Sequence, residues 1–373
     1  MTHRERLLTA LDLGVPDQVP VTWELVGRCA YALTGDGGWR GQCDAHRLIG
    51  SSIFNLQGVG PEVHRDPVLG FAHESEELGV ENGWRVTEHR LLTPSGTLRE
   101  HVKHGGLAHD PTLTRRVRAY VQDRSDYEIL ADYLRAHVRT ARPAIASSAE
   151  ALDYVRDDGL VNHWCGDSLY ALANHRDPEE FIVDLLEIPE TIEELLALLH
   201  AEHEVALQAF NESVADVLVW DMCWASTSLI NPDLARKYAV PEAKWAVESI
   251  APGKRIVFFT SGRIRDVLPD LAALRPHGIQ HLDVLGDCDL AEVKCTFGSQ
   301  FCLMGNYSPV VLAHGSVEEA RAEARRCLAA AMQGGGYIMT TSDEVPADAK
   351  LDNMRAVVEL VAREGAYEPS PSS

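Results

Sequence analysis

The stretch KRIVFFTSGRIRDVLPDL, residues 254–271, decides the fold. Its first part, RIVFF, is a short apolar run with β-branched and aromatic residues, which predicts a buried strand. RIRDVLPDL has helical spacing, and the TSG before it predicts a strand-to-helix junction. Barrels and doubly wound folds place catalytic groups at such junctions. This junction carries Phe259, Thr260 and Ser261, which are neither strong metal ligands nor acids.

The same strand–helix unit recurs on both sides of this stretch. From about residue 150, the strand-like runs are GLVNHWC (159–165), DVLVWDMC (216–223), RIVFFT (255–260), IQHLDVL (279–285), QFCLMGNY (300–307) and GYIMTT (336–341). Nearer the N-terminus, QVPVTWE (18–24) and SSIFNLQ (51–57) supply two more. Apolar strands that alternate with helices are typical of a parallel sheet covered by helices. Eight such units favour an α/β fold of the (β/α)8 TIM barrel type over an open sheet.

One segment interrupts this rhythm. Residues 83–104 alternate in polarity around PSG, which predicts a β-hairpin inserted in the barrel. We predict a single domain over residues 1–366 and a disordered tail over residues 367–373. The chain contains no GxGxxG and no GxxxxGK[ST] motif, so neither nucleotide-binding fingerprint is present.

Composition limits the classes of partner. The 373 residues are 45% apolar and 24% charged, as in an ordinary globular protein, and the formal net charge is −22. Such a surface repels phosphate backbones and anionic lipid, which argues against nucleic-acid and membrane partners. Eight cysteines without CxxC spacing, and no segment typical of a signal peptide, predict a cytoplasmic protein with reduced thiols. Apolar helix faces in residues 241–250 and 351–365 are either core or a homodimer surface, and we expect a homodimer.

Polar side chains are concentrated at the predicted strand ends. Residues two apart on a strand face the same way, so pairs at these ends can share a pocket. The pairs are His163 with Cys165, Asp221 with Cys223, Phe259 with Ser261, and His281 with Asp283. We predict Asp221, His163 and Asp283 as catalytic acid/base groups. Predicted substrate-binding residues are Trp23, Glu24, Arg28, Asn55, Trp224, Phe259, Thr260, Ser261, His281, Asn306, Ser342 and Asp343.

Two other interpretations of these residues stay open. Single His, Cys or Asp residues at strand ends are often packing or capping residues, and Asp167, Asp287 and Asp289 are suited to cap helices. A zinc site is the second interpretation, because imidazole, thiolate and carboxylate are zinc ligands. Its candidate ligands are His163, Cys165, Asp221, Cys223 and His281. No motif such as HExxH unites them, so we predict no cofactor and keep zinc as the alternative.

Five segments spread over nearly the whole chain share a family resemblance. They are RERLLTALDLGVPDQVPVTWE (4–24), TPSGTLRE (93–100), DVLVWDMCWASTSLINPDLARKYAVPEAKWAVESI (216–250), SGRIRDVLPDLAAL (261–274) and the region from GNYSPVV to VVELV (305–361). Together they resemble the uroporphyrinogen decarboxylase superfamily, which includes zinc-dependent corrinoid and cofactor methyltransferases. The resemblance implies a distorted (β/α)8 barrel with its pocket at the C-terminal face of the strands.

This chain departs from both branches of that superfamily. Methyltransferase members carry a His-x-Cys at the strand end before the glycine and a further Cys in the last-strand loop. Phe259 and Ser261 stand at the first two positions, and the loop reads Ser342 and Asp343. Zinc activates a thiol by binding it as thiolate, and a Phe–Ser pair cannot supply the ligands for that site.

The decarboxylase branch holds its substrate with two arginines near the N-terminus. In the matching stretch ELVGR (24–28), Arg28 is retained but Glu24 replaces the first arginine. An acid that faces substrate carboxylates is repulsive. The essential aspartate after the second strand is also replaced, because FNLQ offers Asn55 and Gln57.

Three hypotheses follow for the function. The first is a lyase, decarboxylating a small or cyclic organic acid, with Arg28 on a substrate carboxylate and Asp221, Asp283 or His163 moving a proton or stabilising positive charge. The second is a methyltransferase with a relocated zinc site formed from His163, Cys165, Cys223 and His281. The third is a non-catalytic barrel that binds a metabolite. The sequence does not name the substrate, because loops whose geometry it does not specify line the pocket.

Overall fold

The computed structural model describes residues 1–60, 62–106, 113–144 and 146–368. The helices are α1 His3–Leu11, α2 Gly27–Thr34, α3 Trp39–Ile49, α4 Asp126–Val138, α5 Ala146–Val155, α6 Ser168–Ala173, α7 Pro178–Glu187, α8 Pro189–Glu212, α9 Pro232–Tyr238, α10 Val240–Ser249, α11 Leu268–Ala273, α12 Leu290–Phe297, α13 Pro309–His314, α14 Val317–Ala331 and α15 Leu351–Glu364. The strands are β1 Glu62–Arg65, β2 Ala72–Glu81, β3 Trp84–Thr93, β4 Gly96–Gly105, β5 Thr114–Arg118, β6 Ala141–Ala144, β7 Asn162–Gly166, β8 Val217–Asp221, β9 Arg255–Phe259, β10 Gly278–His281, β11 Cys302–Gly305 and β12 Tyr337–Ile338. Short 3₁₀ turns follow α5 at Arg156–Asp158 and β8 at Cys223–Ala225.

These elements form two compact units. The first comprises Met1–Gly60, Ala146–Cys165 and Ser213–Ser373, and the second comprises Pro61–Ile145 and Gly166–Glu212. The single domain over residues 1–366 stays a prediction. Of the predicted tail, Tyr367 donates its backbone N–H to the Asp17 carbonyl at 3.0 Å, and residues 369–373 lie outside the described residues.

The first unit is built on a six-stranded sheet in the order β12-β11-β10-β9-β8-β7. The pairs β8–β9, β9–β10, β10–β11 and β11–β12 are all parallel. Both faces of a parallel sheet are normally buried, which explains why its strands are apolar almost throughout. The mixed α/β class and the parallel sheet predicted from the sequence are thus present, and they are consistent with a TIM barrel.

The two N-terminal strands predicted from the sequence form single bridges. Val21 bridges Met339, and Ile53 bridges Gly159, both in parallel. Between them, the backbone N–H of Ser52 donates to the carbonyl of Val21 at 2.8 Å. Gly159 allows the close approach, because a Cβ there would lie 2.0 Å from the Ile53 carbonyl oxygen.

The core of the first unit defines which strand faces point inward. Its buried cluster comprises Leu7, Ala10, Leu11, Phe54, Leu160, Val217, Val219, Val257, Phe259, Cys302, Met304 and Ile338. The α1 residues of this cluster come from a helix that begins with a capping box between Thr2 and Glu5. Since strand side chains alternate, Val217 and Val219 in the core place Asp221 on the same, inward face of β8.

The second unit contains a four-stranded antiparallel sheet in the order β2-β3-β4-β5. The hairpin predicted around PSG is β3–β4, closed where Thr93 pairs with Gly96. The strands β2 and β5 extend it on either side, and β1 pairs with β6 in a separate antiparallel ribbon. Among the described residues of both units, no helix combines the length and the apolar character that a bilayer crossing requires.

Candidate active site

The junction after β9 forms the apolar wall of a polar cluster. The backbone turns at Gly262, whose φ of +65° favours glycine. The Thr260 hydroxyl donates to the carbonyl of Gln280 at 2.8 Å, which ties the junction to β10. The Phe259 ring lies edge-on to the rings of His281 and Trp164, with centroids 4.3 and 4.6 Å away.

A buried carboxylate, Glu24, lies at the centre of the cluster. Its side chain is 1% exposed, and its Oε2 accepts from Asn55 Nδ2 at 2.5 Å and from Gln280 Nε2 at 3.0 Å. Both are charge-assisted hydrogen bonds, which are stronger than bonds between neutral groups. Residues 24, 55 and 280 come from three separate parts of the chain, so the folded sheet is what assembles this group.

His281 lies beside Glu24. Its Nε2 is 2.8 Å from Gln280 Nε2 and 3.7 Å from Glu24 Oε2. Because the Glu24 carboxylate requires a donor, it fixes the amide nitrogen of Gln280 between the two groups. That nitrogen also lies within hydrogen-bond distance of Nε2 of His281. The φ of His281 is +87°, an uncommon conformation that orients its ring at the strand end.

Asp221 supplies a buried acid at the end of β8. It is 3% exposed, and burial raises the pKa of its carboxyl above the ordinary value of 3.8. Hydrogen bonds from Cys223 and from the Trp164 side chain, together with His281, oppose that rise. The backbone N–H of Cys223 donates to Asp221 Oδ1 at 2.9 Å. A carboxyl that holds its proton more tightly than usual is suited to act as a general acid.

The raised pKa of Asp221 predicts a pH-dependent stability difference. A carboxyl with a higher pKa in the folded state stabilises the fold at low pH, and this contribution is lost as the pH rises through the folded-state value. Asp221→Asn does not titrate, so the variant should gain relative to the wild type above pH 3.8. We expect the difference in unfolding free energy to move in favour of the variant as the pH rises, measured by urea unfolding across the pH range. If the wild type becomes more stable relative to the variant as the pH rises, the neighbours of Asp221 stabilise its charged carboxylate instead.

An ion pair between Arg28 and Glu344 lies next to Glu24. Both side chains are half-buried, and Arg28 donates through its guanidinium to the Glu344 carboxylate. Burial raises the pKa of Glu344, and nearby Glu24 and Asp343 raise it further, while Arg28 lowers it. The Val345 N–H donates to the Glu24 carbonyl at 3.0 Å, which ties the two groups together.

The structure brings together six of the residues predicted from the sequence. They are Glu24, Arg28, Asn55, Asp221, Phe259 and His281. Sequence reasoning missed Gln280, Trp164 and Glu344. The sequence signal for Gln280 was a polar side chain inside an apolar strand. For Trp164, the signal was that it shares a strand face with Asn162, another polar residue inside an apolar strand.

His163 does not join this cluster. On β7, Trp164 packs against the core cluster, so its neighbours His163 and Cys165 point to the other face of the strand. Burial, followed by the charge of Lys254, lowers the pKa of His163 to about 4. The predicted convergence of His163 with Asp221 is therefore corrected. The error has a simple cause, because the alternation gives two sets of side chains and does not say which set faces inward.

Two other predicted residues are directed to the helical layer. The Oδ1 atom of Asn306 accepts a hydrogen bond from Arg326, on α14, at 3.0 Å. Trp23 is fully buried with its ring 5.5 Å from that of Tyr307, whose hydroxyl bonds to α14. Both side chains have these structural contacts, and their roles in substrate binding stay predictions.

The remaining predicted residues have local structural surroundings. The Asp283 carboxylate accepts the backbone N–H of Leu285 at 2.8 Å, which is a turn-capping contact. Ser261 is half-buried, Ser342 is buried and Asp343 is exposed. Trp224 is buried in the 3₁₀ turn after β8. Their roles in binding stay predictions.

The candidate zinc ligands do not form a metal centre. In the part of the chain that the structure describes, no three His, Cys, Asp or Glu side chains are grouped so that they could hold a metal ion. His163 and Cys165 face away from the side of β7 on which Trp164 contacts Asp221, and His281 is on the inward side. The donor set proposed for a relocated zinc therefore does not fit.

Comparison with known proteins shows to which family the chain belongs. The model of the family described as uroporphyrinogen decarboxylase (URO-D) matches residues 168–364, more than half of the chain. The chain belongs to the uroporphyrinogen decarboxylase family. The match begins at α6 and includes all the strands from β8 to β12, and with them Asp221, Phe259 and His281.

Individual relatives are distant from this family member. A curated uroporphyrinogen decarboxylase from Chlorobium phaeovibrioides is 27% identical over 161 residues, which are 42% of this chain and 44% of that protein. The matched part thus spans less than half of that relative. A solved structure, a methyltransferase from Methanosarcina mazei, has a TM-score of 0.65 and 16% identity, and the match covers 98% of this chain and 100% of that one. This second similarity shows a shared fold.

Proposed function

We propose that this URO-D family member is an enzyme that decarboxylates a small or cyclic organic acid at the cluster around Glu24, Asp221 and His281. The observation that carries the proposal is the buried carboxyl of Asp221, whose raised pKa suits a proton donor at the end of a strand. Family membership supports a lyase, because the family takes its name from a decarboxylase.

We also propose that the parallel sheet closes into a (β/α)8 barrel. The bridges Val21–Met339 and Ile53–Gly159, with the bond between Ser52 and Val21, support closure because they link the two N-terminal segments to β12, to each other and to the segment before β7. In a closed barrel, the carboxyl ends of all strands surround one mouth, where Asp221 and His281 would lie together.

Arg28 is proposed to bind the carboxylate of the substrate. A guanidinium can bind a carboxylate through two parallel hydrogen bonds, and Arg28 already donates one hydrogen bond to the carboxylate of Glu344. Because the pKa of Glu344 is raised, its carboxylate can take up a proton when the carboxylate of the substrate approaches Arg28. Substrate binding would then exchange one carboxylate for another at Arg28 without adding net charge to the cluster.

Asp221 is proposed to deliver the proton that replaces the carboxyl group. The carbon that bears the carboxylate belongs to a double bond or an aromatic ring, whose π electrons take the proton of Asp221. The bond from that carbon to the carboxylate then breaks, its electron pair restores the π bond, and CO₂ leaves. The electron pair of the broken bond stays on the carbon skeleton, and Asp221 regains a proton from water. Protonation before bond cleavage gives a cationic intermediate, and the buried Glu24 carboxylate is placed to stabilise that charge.

The rings of Phe259 and Trp164 are proposed to keep water from the reacting carboxylate. Their edge-on contact makes one wall of the cluster apolar. Decarboxylation converts a charged carboxylate into neutral CO₂. Less polar surroundings destabilise the bound carboxylate and therefore favour the reaction.

The experiment is a screen for CO₂ release. Purified protein is incubated with monocyclic and acyclic carboxylic acids labelled with ¹³C at the carboxyl group, and released CO₂ is measured by mass spectrometry. We expect turnover of at least one acid, unchanged after treatment with a chelator. No release from any acid would contradict the lyase assignment, and release lost on chelation and restored by zinc would contradict a decarboxylation that needs no metal.

A further inference from the structure

Two buried acceptor atoms next to Glu24 have no partner. The carbonyl oxygens Asn55 Oδ1 and Gln280 Oε1 are buried and accept no hydrogen bond from any described residue. Their side chains are 2% and 0% exposed. The amide nitrogens of both groups are fixed on Glu24 Oε2, so the two oxygens lie close to the same carboxylate. Buried polar groups are normally satisfied, and these exceptions call for a donor.

No lysine or arginine of the described residues forms an ion pair with Glu24. Within 4 Å, the chargeable side chain near its carboxylate is His281, whose Nε2 is 3.7 Å from Glu24 Oε2 and 2.8 Å from the amide of Gln280. Arg28 is engaged by Glu344. A buried carboxylate without a close, permanently charged partner is unfavourable, so the cluster favours a ligand that brings positive charge.

A donor-rich ligand group matches this cluster better than water does. Glu24, Asn55 and Gln280 present three acceptor groups, and a water molecule donates only two hydrogen bonds. An ammonium group donates three and a guanidinium five.

We propose that the acid bound at this site carries a basic nitrogen, an amine, amidine or guanidine, which binds at Glu24 between Asn55 and Gln280. The proposal rests on the proposed function in taking the ligand to be a carboxylic acid. The ligand is then a zwitterion: its carboxylate lies at Arg28 and its cationic nitrogen at Glu24. Both charges of the ligand meet an opposite charge, which answers the repulsion that Glu24 would exert on a purely acidic substrate.

The test compares acids that differ only in the nitrogen. Affinities of γ-aminobutyrate against pentanoate, and of p-aminomethylbenzoate against p-ethylbenzoate, are measured by isothermal titration calorimetry. We expect the wild type to bind at least one amino acid of these pairs about tenfold tighter than its methyl counterpart or more, and Glu24→Gln to remove that preference. Circular dichroism checks that the variant is folded, and Asp289→Asn, in which one good helix cap replaces another, is the matched control.

Equal affinities within both pairs, or tighter binding of the methyl compounds, would overturn the proposal. The wild-type comparison decides this even if Glu24→Gln does not fold. The outcome is separable from that of the CO₂ screen. A preference for the amino compounds without CO₂ release leaves the binding proposal standing and removes the lyase assignment, whereas CO₂ release from nitrogen-free acids alone does the reverse.

Discussion

Asp221→Asn is expected to lower kcat for CO₂ release by about 10²–10⁴-fold, the range typical for loss of a general acid. An amide has nearly the same shape as a carboxyl group and keeps an oxygen for the N–H of Cys223, but it has no proton to give to carbon. The KM should change little, because the substrate carboxylate is held by Arg28. Steady-state kinetics on the acid found in the screen would measure both parameters.

The control for this variant is an aspartate of purely structural role. Asp289 caps α12 by accepting the N–H of Glu292 at 2.9 Å, and Asp289→Asn should leave kcat within about twofold. A fall in kcat of less than about threefold in Asp221→Asn would show that the proton comes from another group.

Arg28→Met is expected to raise KM by roughly 10–100-fold, since a charge-assisted hydrogen bond is worth about 1.5–3 kcal/mol. Methionine retains the apolar stem of the side chain and removes the charge, so the loss reports on carboxylate binding. The released Glu344 should also make the cluster more negative and add to the effect. Binding of the carboxylic acid and of its methyl ester, measured by isothermal titration calorimetry on wild type and variant, would separate charge from shape, because the ester should lose little affinity.

Arg265→Met is the matched control for Arg28. Arg265 pairs with Glu292 in an exposed position, where such pairs contribute about 0–1 kcal/mol to stability. Its KM should equal that of the wild type. A normal KM in Arg28→Met would place the substrate carboxylate elsewhere.

The strands of the parallel sheet could be predicted because they are continuous apolar runs. The run RIVFF coincides with β9, and the hairpin around PSG is β3–β4. By contrast, β2 reads AHESEELGVE and is mostly exposed, so it lacks the apolar alternation that marks a strand. Its pairing with β3 holds it in place, and that is a tertiary contact.

A limit of strand patterns explains why the sequence grouped only some residues of the candidate site. Alternation along a strand groups Asp221 with Val219 and His163 with Cys165, but both faces of a covered parallel strand are buried. The sequence therefore does not decide which set faces inward. The packing of Trp164 on Phe259 decides it for β7, and places His163 on the other face.

The environment of Glu24 depends on contacts that no local pattern encodes. In the sequence alone, Glu24 is a negative charge that would repel an acidic substrate. In the fold, Asn55 and Gln280, which are 31 and 256 residues away, donate to its carboxylate. The unpartnered oxygens of these two amides indicate what the site binds, and they become visible only once the three segments are together.

The central claim is that substrate binds at the cluster of Glu24, Arg28, Asp221 and His281. A crystal structure of Asp221→Asn with an acid from the screen tests it most directly, because the variant should bind without turnover. The account predicts a ligand carboxylate hydrogen-bonded to Arg28 and the carbon that bears it in contact with residue 221. Ligand density away from both residues, with the Arg28–Glu344 pair undisturbed, would contradict it.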